Sequence, residues 1–406
     1  MELNKKIVLI TTGQPSINPR IVKEADALAD AGYDVTVLYC FWIYWALEAD
    51  KKILANAKWK YKLVGGTPTE RRRVYFITRL CFKLFNYINK YIGNKCGIAE
   101  KAQARCFKQL LQAAKNNKAD WYIGHNLGAL AIAVKAARYN NAKAGFDFED
   151  YHRAEHALMN KADINRIMYL ENKYVPALRY ISTASPLITE RIKSNYTLFQ
   201  NPIITLLNTF PLSQQPAYRE KTLSDCTLQL FWFSQTVGTN RGLEMVIDVV
   251  KEIANDNIHL SLAGRCSEEI KRSFKQRAGD MSKNIHFVGI VQPNELPSFS
   301  AQFDIGLALE PAFSINNDIA LSNKLFTYLL AGNALLLSET SGQKLFVEQY
   351  NVGLSFPINN KIKLKTILES FLDKKLLCDQ KMDSWQLANK VLNWENESKK
   401  LLRIIN

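Results

Sequence analysis

Apolar and polar positions along this chain switch between a period of two and a period near 3.6, and the switching repeats. A short β-rich run, Lys6–Thr11, ends at Thr12-Gly13. A stripe of Ile21, Val22, Ala25, Leu28 and Ala29 follows at helical spacing and predicts a helix from Pro19 to Ala31. Asn18 stands at the N-cap, Pro19 at the first helical position, and Gly32 just past the end. Val35–Cys40 is the next apolar run, so the chain opens as a βαβ unit. Further strands are predicted at Trp121–Gly124, Ala144–Phe148, Tyr180–Thr183 and Ile203–Leu207, with helices over Leu127–Ala137 and from Ser185. The polar stretch 213–225 reads as a linker. The rhythm then restarts, with strands at Leu228–Phe233, Ile258–Leu262, Ile285–Val288, Ile305–Leu309 and Ala334–Leu337. Helices between them start near Arg241, Ser267, Pro293 and Ile319, and Trp385–Ile405 reads as a last helix. Two such halves in tandem predict two parallel sheets, each covered by helices on both faces.

Length fits that division: 406 residues, at about 100–200 per domain, make two domains. A hydrophobic fraction of 47% excludes a disordered chain. Seven cysteines, an odd number with no CxxC pair, argue against a disulfide framework and a structural zinc site. They point to a reducing compartment, and a cytoplasmic protein is expected. Ile7–Ile10 is too short for a signal-peptide core, and Phe41–Leu47 too short to span a bilayer.

Charge adds one feature. The net charge is +15, and between Arg71 and Lys118 twelve basic residues face only Glu100. Among them stand Val74, Tyr75, Phe76, Ile77, Leu80, Phe82, Leu84, Phe85, Tyr87, Ile88, Tyr91 and Ile92. Basic plus aromatic-apolar at helical spacing is the composition of an interfacial helix, which makes 71–118 a candidate for peripheral contact with an anionic membrane. A core helix with a solvated polar edge has the same composition, and the two readings weigh equally. No nucleic-acid module is present, and nucleic acid is not an expected partner.

Open parallel sheets bind ligands outside the carboxyl ends of their strands, so the strand-to-helix loops are where chemistry is sought. Gly13, in Thr12-Gly13-Gln14, ends the first strand and leads to a helix N-terminus whose amides suit an anion or a sugar hydroxyl. His125, in Gly124-His125-Asn126, ends another strand; an imidazole there serves a ligand oxygen or simply the structure. Asp147, Glu149, Asp150 and His152 close a third, where carboxylates orient hydroxyls or accept a proton, and Asp150 is the catalytic candidate. No metal-ligand spacing such as HxxxH or DxD occurs, so no bound metal is expected. In the second half, Arg241 and Gly242 precede a helix. The helix dipole disfavours a cation there, so a nucleotide diphosphate would justify the guanidinium. Gly264 and Arg265 occupy the next strand end. Glu310 to Gly332 is dense in polar groups, with Asn317, Asn323 and Lys324 suited to a hydroxyl-rich ligand carrying phosphate.

Taken in order, these pieces resemble the retaining glycosyltransferases of family 4. They are Thr-Gly then Asn-Pro-Arg; Gly124-His125-Asn126; the Asp147–Asp150 strand end; Ile181-Ser182-Thr183; Asn208; the Gly238–Gly242 turn; Leu262-Ala263-Gly264; Phe287-Val288-Gly289; and Asn323-Lys324-Leu325-Phe326 through Ala331-Gly332. The resemblance spans nearly the whole chain. It implies an α/β GT-B fold, two Rossmann-like domains whose parallel sheets face a central cleft. Residues 1–212 would form the acceptor-side domain and 226–380 the nucleotide-sugar domain, with 381–406 a helix returning to the first. It implies a metal-independent hexosyltransferase without cofactor. A sugar would move from a nucleotide diphosphate to a saccharide or lipid-linked acceptor, in cell-surface polysaccharide or glycolipid assembly on the inner face of the membrane. Gly13, Arg241, Gly242, Gly264, Arg265, Asn317, Asn323 and Lys324 would bind the donor; His125, Asp150 and Glu310 would be catalytic. Three positions depart from the pattern. Gln235 stands where the family has an arginine, and Ile319 and Thr327 stand where it has paired glutamates. A sugar-nucleotide epimerase and a catalytically silent sugar-nucleotide-binding homologue stay open beside the transferase.

Overall fold

The computed structural model describes residues 5–222 and 226–406. The end of the expected linker, 223–225, and the first four residues lie outside them. Two compact units are present, one of residues 1–206 with 398–406 and one of residues 207–397.

Seven strands make the first sheet: β1 Lys6–Thr11, β2 Asp34–Cys40, β3 Lys60–Val64, β4 Trp121–His125, β5 Lys143–Phe148, β6 Tyr180–Thr183 and β7 Ile203–Thr205, in the order 3-2-1-4-5-6-7. The second sheet holds β8 Leu228–Thr236, β9 Ile258–Arg265, β10 Ile285–Gly289, β11 Ile305–Ala308, β12 Ala334–Ser338 and β13 Leu354–Phe356, in the order 10-9-8-11-12-13. Every pairing is parallel. Both sheets therefore have the doubly wound order of a Rossmann fold. Its switch point, where the winding reverses, lies between β1 and β4 in one and between β8 and β11 in the other.

The central strands read as unbroken apolar runs because helices cover both their faces. In β4, β6, β11 and β12 every residue is buried. Each sheet uses one glycine for a close aromatic contact. A Cβ on Gly145 would lie 2.2 Å from the Tyr180 ring, and one on Gly306 would lie 2.1 Å from the Tyr328 ring. Each tyrosine thus lies flat against its sheet where any larger residue would displace it.

The N-terminal signals work as expected. Asn18 Oδ1 accepts from the Ile21 amide at the start of the Pro19–Asp30 helix, and Ser185 caps Pro186–Asn195. Three readings change. β3 and β13 were not expected; one is an edge strand of mostly exposed residues, the other only three residues long. The last helix is two, Lys374–Lys390 and Trp394–Ile405. Asn393 breaks it, donating to the Ala388 and Asn389 carbonyls while its Oδ1 accepts from the Asn396 amide. Finally, the units divide at 206/207 rather than at 212, and of residues 381–406 only 398–406 count with the first unit. There the Lys5 ammonium donates to the carbonyls of Ile405 and Asn406.

Candidate functional site

In the second unit the β8/β11 switch point gathers most of the predicted donor residues. β8 and β9 lose register between Phe233 and Thr236, so Ser234 and Gln235 bulge out of the ladder. Gly264 makes this possible: its φ is +139°, and a Cβ there would stand 2.3 Å from the Ser234 carbonyl oxygen. The bulged Ser234 backbone thus leaves room there for glycine alone. Arg265 follows it and is exposed. After β8 the chain turns through Gly242, whose φ of +79° starts the Leu243–Ile253 helix with no side-chain cap on its first amides. Those amides point outward from the carboxyl end of the sheet and suit an anion. Arg241, two residues before the helix, is exposed and, among the described residues, hydrogen-bonds only the Ser234 hydroxyl, at 3.4 Å.

Across the switch point β11 runs into Glu310. Its backbone is pinned by Ser338, which accepts from the Glu310 amide and donates to its carbonyl, both at 2.8 Å. Its carboxylate meets Lys324 Nζ at 2.6 Å and accepts from Asn317 Nδ2 at 3.1 Å. Burial works against this charge, but Lys324, Asn317 and Ser322 outweigh it and hold the carboxyl below its usual range. Glu310 is thus an ionised acceptor, fixed in place. Asn317 Oδ1 is buried with no hydrogen-bond partner among the described residues, a polar atom that a ligand hydroxyl or amide would satisfy. Asn323, exposed at the start of its helix, accepts from Asn208 at 2.8 Å. Thr327 donates to the Asn323 carbonyl of its own helix and is buried, so it is not presented to a ligand.

In the first unit the β1/β4 switch point is locked by side chains. Thr12 Oγ1 donates to Asn126 Oδ1 at 2.7 Å, and Asn126 Nδ2 donates to Thr11 Oγ1 at 2.8 Å. Gly13 beside them donates to Thr11 Oγ1 and accepts from the Cys40 amide. Beneath lies a buried charge network. Arg20 Nε and Nη2 donate to Asp147 at 2.6 and 2.8 Å, and Nη1 donates to the Leu206 carbonyl at 2.6 Å. Ser182 donates to Asp147 at 2.7 Å. His125, 1% exposed, has Nε2 3.3 Å from Glu24 and Nδ1 3.7 Å from Asp147. Burial opposes charge on this ring, but Glu24 and Asp147 override it and raise its pKa. Glu24, His125 and Asp147 each bring a ligand atom within 4.8 Å of the others, as metal ligands would. The Arg20 guanidinium is already the cation of that cluster, 2.6 Å from Asp147 and 3.9 Å from Glu24.

At the rim, Asp150 is half-buried beside Glu149, whose carboxyl is pushed up to about 7 by burial and by the Asp150 charge. This has a measurable sign. Between the usual 4.5 and about 7 the folded protein holds a proton on Glu149 that the unfolded chain releases. The resulting stabilisation is full below that window and is lost as pH rises through it. In urea unfolding across pH 5–8, Glu149→Gln is expected to flatten the decline relative to wild type; parallel curves would place Glu149 in water.

The structure therefore brings Arg241, Gly242, Gly264, Arg265, Glu310, Asn317, Asn323 and Lys324 to the carboxyl end of one sheet, and Gly13, His125 and Asp150 to that of the other. Sequence reasoning met Arg20 only as the end of Asn-Pro-Arg and gave it no role, and it passed over Glu24. One signal was present: Arg20 is the second residue of its helix, the same dipole conflict that singled out Arg241.

Comparison of the sequence with protein families and with characterised proteins finds no match. Solved structures do match over nearly the whole length. The Anabaena protein Alr3699/HepE, solved with UDP and glucose, is 11% identical with a TM-score of 0.65, covering 99% of each chain. Sucrose-phosphate synthase from Thermosynechococcus elongatus is 12% identical with a TM-score of 0.67, covering 99% of this chain and 98% of that one. A glycosyltransferase from Rickettsia africae is 10% identical with a TM-score of 0.66, covering 99% and 97%. The chain thus has the GT-B fold of these proteins.

Proposed function

We propose that this chain is a glycosyltransferase whose second unit holds a nucleotide-diphosphate sugar at the β8/β11 switch point. The observation that carries this is the pairing of an uncapped helix start flanked by Arg241 with the fixed Glu310–Lys324 pair across the crevice. Diphosphate leaves with negative charge, and donors aimed at that charge are the main lever in such chemistry. Arg241, Arg265 and the amides after Gly242 supply them, which supports transfer without a metal ion. Lys324, bound to Glu310, serves the boundary between phosphate and sugar. Glu310 and Asn317 accept the donor's hydroxyls, and Asn323 stands beside them. In the first unit, Gly13 and Asp150 would meet the acceptor, while His125 acts from beneath by fixing the β4 end. Since Alr3699/HepE was solved with UDP and glucose, a uridine diphosphate hexose is the first donor to test. Family 4 membership, retention of configuration and a role in cell-surface polysaccharide or glycolipid assembly belong to the same proposal. So does a place on the inner face of the membrane, through the basic region 71–118.

A second reading, sugar-nucleotide binding without transfer, draws support from Thr327, turned into its own helix, and from Gln235, exposed where the family has an arginine. The test is release of nucleoside diphosphate from a panel of sugar nucleotides, with and without saccharide and lipid-linked acceptors. Release that requires acceptor is expected. Binding without release selects the second reading, and neither would sink both.

A further inference from the structure

The Arg72–Ile92 helix is amphipathic in reverse. Its polar residues face the protein: Thr78 and Asn89 are its buried positions. Asn86 Nδ2 donates to the Ala102 carbonyl at 2.9 Å, and Asn89 Oδ1 accepts from Arg166 at 3.3 Å. Its apolar residues face water. Phe76, Ile77, Leu80, Leu84, Tyr87 and Tyr91 are all more than half exposed, Leu80 at 69% and Tyr91 at 73%. At 100° per residue they fall on one stripe. Arg72, Lys83 and Lys90, exposed as well, line one edge of that stripe.

A second exposed apolar element adjoins it. Trp42, Ile43, Tyr44 and Trp45 follow β2 and are each more than a third exposed. Phe41 packs edge-on against both Tyr44 and Tyr75, at 5.4 and 5.8 Å. The Arg105 guanidinium lies 3.6 Å over the Trp42 ring and 5.8 Å from that of Phe82, tying loop to helix. Soluble proteins rarely expose contiguous apolar patches beyond about 300–600 Å2 without a partner. This one joins two elements, and five of its members, Trp42, Tyr44, Trp45, Tyr87 and Tyr91, are tryptophan or tyrosine, side chains suited to a water–lipid boundary.

We infer that the outer face of the Arg72–Ile92 helix and the Trp42–Trp45 segment form one docking surface for an anionic lipid bilayer. It deepens the proposed membrane contact by placing it on these two elements. The charge decides the occupant. A second copy of this chain would bring Arg72, Lys83 and Lys90 near their own counterparts on a protein of net charge +15, whereas anionic headgroups meet that basic edge while the stripe enters the acyl boundary. Among the described residues no helix is long and apolar enough to cross a membrane, so the attachment is peripheral. It presents this unit to acceptors carried in the bilayer, a lipid-linked saccharide rather than a free one.

Flotation of the full chain with vesicles tests it. Strong binding is expected to equimolar phosphatidylcholine and phosphatidylglycerol, weak binding to phosphatidylcholine alone, and release at high salt. Leu80→Gln with Leu84→Gln, and separately Lys83→Ala with Lys90→Ala, should each weaken binding by roughly tenfold or more. All four side chains are exposed, so the fold and the response to nucleotides should be unchanged. Absence of vesicle binding, binding indifferent to both double variants, or a wild-type dimer that Leu80→Gln with Leu84→Gln dissolves would each overturn the inference. Because nucleotide binding is read separately, vesicle binding without it would refute the transferase and leave the docking surface standing.

Discussion

Asp147→Ala is expected to destabilise the first unit by about 3–5 kcal/mol, the cost of breaking a buried ion pair from one side. Arg20 is fully buried and Asp147 nearly so, and the pair is bidentate. Removing the carboxylate strands the guanidinium with the Leu206 carbonyl and with Glu24 at 3.9 Å. It also takes away the acceptor of Ser182 and one of the two charges that raise the His125 pKa. Asp147→Asn keeps an acceptor for Ser182 but loses the charge, so its cost should be smaller. Urea unfolding read on the first unit's transition checks this. A loss under about 1 kcal/mol would show Glu24 taking over the guanidinium, and the network would be redundant.

Arg241→Ala is expected to lower turnover by about 10²–10³-fold, the loss typical of removing one donor to a charge that develops in the transition state. Its folding stability should hold, since Arg241 is exposed and its one hydrogen bond among the described residues is the long one to Ser234. That split separates a ligand-directed cation from a structural one. Arg20 also stands near a helix start, as the second residue of its helix, yet its loss should read out as stability. Steady-state kinetics beside a melting curve decides it. Turnover near wild type would move the phosphate site to Arg265 and Lys324.

The two arginines also show what the sequence reveals. Both break the same local rule, a cation at a helix start, and that conflict is visible in eleven letters around each. Which anion answers is not. The partner of Arg20 lies 127 residues on, and no periodicity connects them. The partner expected of Arg241 is outside the chain. Strands with buried faces on both sides, such as β4 and β12, declare themselves as apolar runs, whereas the edge strand β3, Lys-Tyr-Lys-Leu-Val, has little to bury. Strand ends could be placed, so Glu310, Arg265 and His125 could be nominated. Their burial could not: His125 reads the same in sequence whether its ring meets a ligand or Glu24. Composition likewise left the 71–118 region balanced between membrane and core, and only the outward turn of Leu80, Leu84 and Tyr91 separates them.

On the proposed function, the second unit binds a nucleoside diphosphate at the β8/β11 switch point. Thermal unfolding with a panel of nucleoside diphosphates and their sugars, UDP first and no metal added, tests it most directly. A ligand at 100 times its dissociation constant stabilises by about 2.7 kcal/mol, which for units of this size is roughly 5–10 °C. Such a shift is expected with one nucleotide, lost in Arg241→Ala and kept in Leu80→Gln with Leu84→Gln. No shift with any nucleotide, or an equal shift in Arg241→Ala, would contradict it.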